Sequence, residues 1–557
     1  MHLFSLGDDS APWLSYSPQS YPLAGDDTMK ACMAMLKQCQ EEHESCESLT
    51  VPFLPTRVIN LQDPNHPKLY ISDQNQQAFY VALSYCWGGP QDVLLTVDTL
   101  DARSQGLCLE ELSQTIRDAI EVTAKLGYRY LWIDALCIIQ DNQKDKRTEI
   151  EAMGSIYRNA TLTIAASDAK GAREGFLRSL PKIPTCKLPF YLPNNRLGNI
   201  EVEQYRLYAN QENWHLNTRA WTMQEELLSP RMLFFADGEI RWQCQSVYKK
   251  RVLGASSVNL EAWQGVPRLP REVFLTTGNT KYEALHSPEG NTSHVRILKE
   301  QQDIWPAIIK NYTSRNITDP LDRLPALAGI IGELEKVWVD ECIAGLWNKS
   351  FLENLLWQKA FPNYQGCTAP IYKGCDCSSS PKTRPNVAAP TWSWLSCEQA
   401  VIFENNLQFR NCELISCSVQ LQDEDAPKGL VKSGQLVIRA SVIKGPIHRN
   451  PGPELYSPLS PIYISSIYPC GFTCHEIFKR AIYARIGSYS SSGWEDPSKD
   501  PKNKLIARGL VLMEVGNGLF ERVGVFKERV DVKERPQGMR DVFDEPGTSE
   551  WKTLTVI

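Results

Sequence analysis

The chain has 557 residues, 42% of them hydrophobic and 22% charged, with a formal net charge of −6. That length is too great for one compact core, so two or three domains are expected, and the composition is that of a globular protein. A mildly acidic balance gives no electrostatic basis for binding nucleic acid or an anionic membrane, so neither is expected as a partner.

The opening residues, MHLFSLGDDSAPW, contain neither a basic leader nor a long apolar core, so no signal peptide is expected. No apolar run reaches the ~18–20 residues that span a bilayer. The best of them, Tyr130 to Ile139, carries Asp134 in its middle. The 17 cysteines are odd in number and dispersed, whereas disulfide scaffolds are small, secreted and cysteine-dense. Reduced thiols and a cytoplasmic location follow as expectations, and Asn-X-Ser/Thr sites such as Asn159 and Asn311 then carry no glycan meaning.

The first ~25 residues are rich in Ser, Pro and Asp and read as loose. Residues 27–48 read as a short helix, and a strand-rich core begins at Val58. Phe79–Tyr85 is an apolar strand that stops at Trp87-Gly88-Gly89-Pro90. Leu112, Ile116, Ala119, Ile120 and Thr123 share one helical face, with Gly127 as the stop signal. Tyr130–Ile133 is a second apolar strand. Ile150, Met153 and Tyr157 have helical spacing, and Thr161–Ala165 is a third strand. The β-α-β-α-β order predicts an α/β domain over 51–250, a parallel sheet covered by helices.

Segments 262–294 and 360–389 are irregular, and a helical stretch lies between them, about 298–357; together these make a helical region with linkers over 251–389. In it Asp319-Pro320 reads as an N-cap followed by proline at the first helical position, with Asp322 favoured by the helix dipole. From 390 to 557 the pattern is β-rich, as in Gly434–Ile443, Leu505–Val515 and Leu554–Ile557, broken at Gly445-Pro446 and through the Pro-rich 451–461.

Three blocks carry a family resemblance. They are Tyr80-Val-Ala-Leu-Ser-Tyr-Cys-Trp-Gly88; Leu131-Trp-Ile-Asp-Ala-Leu-Cys-Ile-Ile-Gln140, continued by Met153–Tyr157 and Thr161–Ser167; and Asn217-Thr-Arg-Ala-Trp-Thr-Met-Gln-Glu-Glu-Leu-Leu-Ser-Pro-Arg231. In this order they resemble the fungal heterokaryon-incompatibility (HET) domain. Leu54–Ile59, Tyr312, Ser314-Arg315, Asp322–Leu324, Gly345-Leu-Trp347 and Pro390-Thr-Trp-Ser-Trp394 are similar to segments that flank it in the family. Glu226 departs from the family pattern: it stands where many members carry Arg, which reverses a charge beside Glu225.

HET domains in turn resemble Toll/interleukin-receptor (TIR) domains, which have a flavodoxin-like parallel sheet with helices on both faces. Some TIR domains cleave NAD with a helix glutamate in a Trp-Cys-x-x-Glu pattern, which Trp221-Thr-Met-Gln-Glu225 resembles. The resemblance therefore implies self/non-self recognition and programmed cell death, self-association or an incompatibility partner protein, and NAD as a substrate rather than a required cofactor. Loss of nicotinamide leaves an oxocarbenium-like ribose, which a carboxylate can stabilise; Glu225 is the candidate.

Glu225 has an alternative, because Thr222-x-x-Glu225 is also a capping-box pattern. Asp134 follows an apolar strand, where ligands of open α/β sheets gather, or it caps a turn. Ser84, Tyr85, Trp87 and Gly88 share that edge as candidate ligand-binding residues, and Gly88-Gly89 admits unusual backbone angles or close approach. Arg219 can grip phosphate bidentately or pair with Glu225 or Glu226. Trp221 lines a nucleotide pocket or belongs to the core.

Cys39-x3-His43-x2-Cys46 places three soft ligands on one helical face, with Cys32 a heptad earlier and too distant to join them. A structural zinc needs four ligands, so no metal is assigned and packed cysteines are the favoured reading. Cys375-x-Cys377 and Cys470-x3-Cys474-His475 have no convincing partners. No Gly-x-Ser-x-Gly elbow or His-Glu-x-x-His pair is present, against an ordinary α/β-hydrolase or a zinc protease. Two further functions stay open, a small-molecule enzyme or accessory protein of secondary metabolism and a non-catalytic assembly module, since chemistry does not follow from fold.

Overall fold

The computed structural model describes residues 2–4, 22–46, 50–73, 75–178, 185–191, 196–203, 214–253, 267–274, 291–360, 389–403, 407, 409–423, 428–444, 463–467, 481–490, 504–531 and 549–557. Most of the loose N-terminal stretch, most of segments 262–294 and 360–389, Gly445-Pro446, the Pro-rich 451–461 and the Cys375 and Cys470 motifs lie outside them; His2–Phe4, read as loose, is instead a strand antiparallel to Leu197–Glu203. Chain contacts divide the protein into two units, Met1–Pro288 with Ala326–Val337, and Glu289–Pro325 with Trp338–Ile557.

The first unit is mixed α/β. Helix α1 (Asp26–Glu42) precedes strands β1 (Arg57–Asn60), β2 (Lys68–Ile71) and β3 (Val81–Ser84). Helix α2 (Gln114–Lys125) leads to β4 (Tyr130–Trp132) and the single turn α3 (Asp134–Cys137). Helix α4 (Gln143–Asn159) leads to β5 (Leu162–Ala166). Helix α5 (Thr222–Leu228) leads to β6 (Arg231–Ala236), β7 (Glu239–Cys244) and β8 (Lys250–Arg251). The eight strands form one sheet in the order β8-β7-β6-β5-β3-β4-β1-β2.

Its centre, β6-β5-β3-β4, is parallel. Strands β3, β4 and β5 are buried at every position, which is why they read as continuous apolar runs. The helices end where their residues dictate. Gly127, at φ +80°, donates its N–H to Ala124, and Tyr128 donates to Thr123; this is a Schellman stop that a side chain with a Cβ would strain. Asn142 caps α4 by accepting from the amides of Lys144 and Asp145. Leu112, Ile116, Ala119, Ile120 and Thr123 are all buried.

The parallel sheet expected from the β-α-β order forms this centre only, and the flanks are antiparallel: β1 pairs with β2 and β4, and β7 with β6 and β8. For β6 and β7 the reason is connection length. Only Asp237 and Gly238 join β6 to β7, both at positive φ (55° and 72°). That is the two-residue turn whose twist matches a hairpin, and parallel neighbours need a far longer crossover.

In the second unit, helix α6 (Asn291–Thr313) is followed by Asp319, whose side chain accepts from Leu321 N–H ahead of the short turn Pro320–Arg323. A hairpin interrupts the expected helical stretch: Cys342–Ile343 pairs with Leu346–Trp347, across Ala344 and Gly345 at φ 47° and 82°. The indoles of Trp305 and Trp394 both donate to the Gly345 carbonyl, at 3.1 and 2.9 Å. A Cβ on Gly345 would stand 2.5 Å from Trp394 Nε1. The Gly345–Trp347 and Pro390–Trp394 motifs therefore meet in a buried tryptophan core. Beyond it lies an eight-stranded, mainly antiparallel sheet that includes Val431–Lys444, Lys504–Gly516, Leu519–Asp531 and Glu550–Val556. Among the described residues no helix is long and apolar enough to cross a membrane.

Candidate functional site

The chain leaves β3 for β4 on one side of the sheet and crosses back to β5 on the other. At such a reversal the adjacent loops diverge and open a crevice at the carboxyl ends of the strands. Ser84 is the last residue of β3, with Tyr85, Trp87 and Gly88 in the loop after it. Asp134 opens α3, two residues past β4. Glu225 lies in the first turn of α5.

These residues converge. The Ser84 hydroxyl donates to Glu225 Oε2. The Trp87 indole donates to Asp134 Oδ2 at 2.8 Å, while the other Asp134 oxygen accepts from the Ala135 amide at 2.7 Å. Arg219 donates through Nη1 to the Tyr85 carbonyl at 2.8 Å, which holds its positive charge close enough to act on both Glu225 and Asp134. Ser84, Tyr85 and Glu225 are buried, whereas Trp87, Asp134, Arg219 and Trp221 are partly exposed and Gly88 is exposed.

Burial raises the Glu225 carboxyl to about 7 from an ordinary 4.5; the Ser84 hydrogen bond and the Arg219 charge oppose the rise, and the Asp134 charge adds to it. Burial also raises Asp134, against Arg219, the Trp87 indole and the Ala135 amide. The cluster thus holds one carboxyl, Glu225, raised to near neutrality, beside a second, Asp134, raised above its ordinary value, an arrangement that general acid–base or charge-stabilising chemistry can use.

The capping-box alternative for Glu225 is corrected. No side-chain cap bond forms at the N-cap residue Trp221. Thr222 donates to the carbonyls of Leu216 and Arg219, and the Glu225 carboxylate is turned to Ser84. The close approach that Gly88 permits is to the chain itself: at φ +70°, a Cβ there would lie 2.5 Å from Gly171 Cα. Glu226 points into a separate buried pair with Lys249, at 2.9 Å. The Lys249 ammonium stands 4.5 Å from the centre of the Phe234 ring and 5.2 Å from that of Trp214.

Sequence reasoning missed Tyr157. Its hydroxyl donates to the Leu83 carbonyl at 2.9 Å, one residue from Ser84, and it also interacts with Glu225. Its signal was a tyrosine on the apolar face of α4, indistinguishable there from ordinary core. Tyr85 is buried beside Asp134 without a hydrogen bond of good geometry.

An α/β unit with a buried acidic cluster at the carboxyl edge of its parallel strands defines the class of protein. Residues 80–225, which contain every candidate site residue, match the family model described as Heterokaryon incompatibility protein (HET); the chain carries a HET domain. No curated protein and no solved structure matches the chain.

Proposed function

We propose that this protein acts in heterokaryon incompatibility, a self/non-self response ending in cell death, and that its HET domain does so by cleaving NAD at the nicotinamide–ribose bond. The observation that carries the reading is the buried Glu225 carboxyl, held by Ser84 beside Asp134 and Arg219. In this scheme the ionised Glu225 stabilises the positive charge that develops on ribose as nicotinamide leaves, and orients the ribose hydroxyls. Arg219 holds a phosphate oxygen. Trp87 and Trp221 flank the nicotinamide and adenine rings, and Asp134 takes a proton from the attacking water. The parallel-strand order, second-first-third-fourth in chain sequence, supports likeness to flavodoxin-type sheets, whose ligands sit at this edge.

Incubation of concentrated full-length protein with NAD, read by nicotinamide release, tests the proposal. Release that Glu225→Gln abolishes is expected; intact NAD at high protein concentration sinks it. A specific observation favours a second reading, a non-catalytic assembly module: Glu225 is only 7% exposed and Ser84 1%, as in a polar cluster that fixes one packing. Under that reading NAD stays intact while Glu225→Gln alters self-association, read by light scattering.

A further inference from the structure

At the other end of the sheet, at the amino end of β6, four soft ligands meet. Cys39 lies in the last turns of α1, His43 at its C-cap, and Cys46 in the turn that follows. Cys244 ends β7, 201 residues from His43. One ligand atom from each lies within 4.8 Å of all the others. The His43 Nδ1 stands 3.3 Å from Cys244 Sγ and 3.8 Å from Cys46 Sγ. All three cysteines are buried and free of disulfides.

Those separations fit a tetrahedron around one ion. With Zn–S of about 2.3 Å and Zn–N of about 2.0–2.1 Å, tetrahedral angles place sulfur and nitrogen about 3.5 Å apart. The two sulfur–nitrogen distances bracket that value. A disulfide would need sulfurs about 2 Å apart; thiol hydrogen bonds to the imidazole account for Cys46 and Cys244 but not for the third thiol, Cys39, gathered within 4.8 Å of every other ligand atom. The surroundings also match in charge. Three thiolates and a neutral histidine around a divalent ion carry one net negative charge, and the guanidinium of Arg231 acts on Cys39 while that of Arg268 acts on Cys46 and Cys244.

We infer that Cys39, His43, Cys46 and Cys244 form a structural zinc site that clips the N-terminal helix to the antiparallel flank of the HET sheet. Four protein ligands leave no open position for a substrate or water, so the ion's role is to hold the fold. Cys32, buried earlier on α1, lies outside the set.

Full-length protein purified without a metal-affinity tag and dialysed into metal-free buffer is expected to retain one zinc per chain by elemental analysis. Cys244→Ser is expected to lose it, whereas Cys32→Ser keeps it and His43→Cys, which completes a four-thiolate set, keeps it too. Should Cys244→Ser fail to fold, wild-type protein reloaded with cobalt supplies the second readout: the intense visible bands of a tetrahedral thiolate complex. Removal of zinc by a strong chelator lowers the melting temperature, and added zinc restores it. The inference is overturned by wild-type protein that carries no stoichiometric zinc either as isolated or after reduction and reloading. It is equally overturned by peptide mapping that finds a disulfide between any two of Cys39, Cys46 and Cys244, or by Cys244→Ser that binds zinc as wild type does.

Discussion

Ser84, at the end of β3, donates its hydroxyl hydrogen to the carboxylate of Glu225, 141 residues further along the chain. The bond ties the first block of the HET domain to the third, and the burial it shares makes the ionisation of Glu225 measurable as stability.

Glu225 is raised from 4.5 to about 7 in the folded protein. Below 4.5 the carboxyl is protonated in both folded and unfolded chains, and its contribution is fully present. Between 4.5 and about 7 the unfolded carboxyl ionises first, so stability is lost as pH rises, and the loss levels off above about 7. A shift of this size corresponds to on the order of 3 kcal/mol. Glu225→Gln does not titrate, so its stability relative to wild type should climb by up to that amount between about pH 4 and pH 8. Urea denaturation at both pH values checks it; a difference that stays flat would mean that Glu225 titrates like an exposed carboxyl.

Ser84→Ala removes the donor and leaves the buried carboxylate with less compensation. The expected loss is about 1–3 kcal/mol, greater above pH 7, where Glu225 is ionised, than near pH 4, where it is protonated. Equal losses at the two pH values would contradict the bond's charge-assisted character.

Lys249→Met removes the ammonium that pairs with the buried Glu226 carboxylate. Breaking one partner of a buried pair costs about 3–5 kcal/mol, while replacing both by apolar groups is often neutral. The double variant Lys249→Met/Glu226→Leu should therefore recover most of the stability in urea melts, since Met can lie against Phe234 and Trp214. Failure of the double variant to recover would show that the rings require the cation.

Two glycines in helices should respond to alanine with opposite sign. Gly154→Ala gains about 0.5–1 kcal/mol of helix propensity. Its Cβ, however, would stand 2.6 Å from Gly329 Cα, and overpacking of that kind costs about 1–3 kcal/mol, so a net loss is expected. Gly332, in the same helix as Gly329 (Ala328–Trp338), has nothing within 4 Å of a built Cβ. Gly332→Ala should stabilise by about 0.5–1 kcal/mol. Thermal denaturation of the pair separates contact from propensity.

Much of the parallel core was legible because its causes are local. Strands β3, β4 and β5 are short apolar runs, α2 and α4 have one-sided periodicity, and Gly127 is the residue a Schellman stop demands. The hairpin flanks were equally local but went unread. Asp237-Gly238, and likewise Asn517-Gly518 between Lys504–Gly516 and Leu519–Asp531, are two-residue turns at positive φ. The hairpin at Ala344-Gly345 was less visible, since alanine is not a usual resident of that conformation.

By itself the sequence determined the HET domain, the order of its strands and helices, and the residue types at the sheet edge, because apolar period, caps and block order are written along the chain. Only the tertiary structure decided partners. It turned Glu225 from a cap to Ser84, sent Glu226 to Lys249, aimed Trp87 at Asp134, and brought Cys244 to Cys39, His43 and Cys46. Each of those contacts joins residues far apart in sequence, and its strength depends on burial and distance, which exist only once the sheet has assembled.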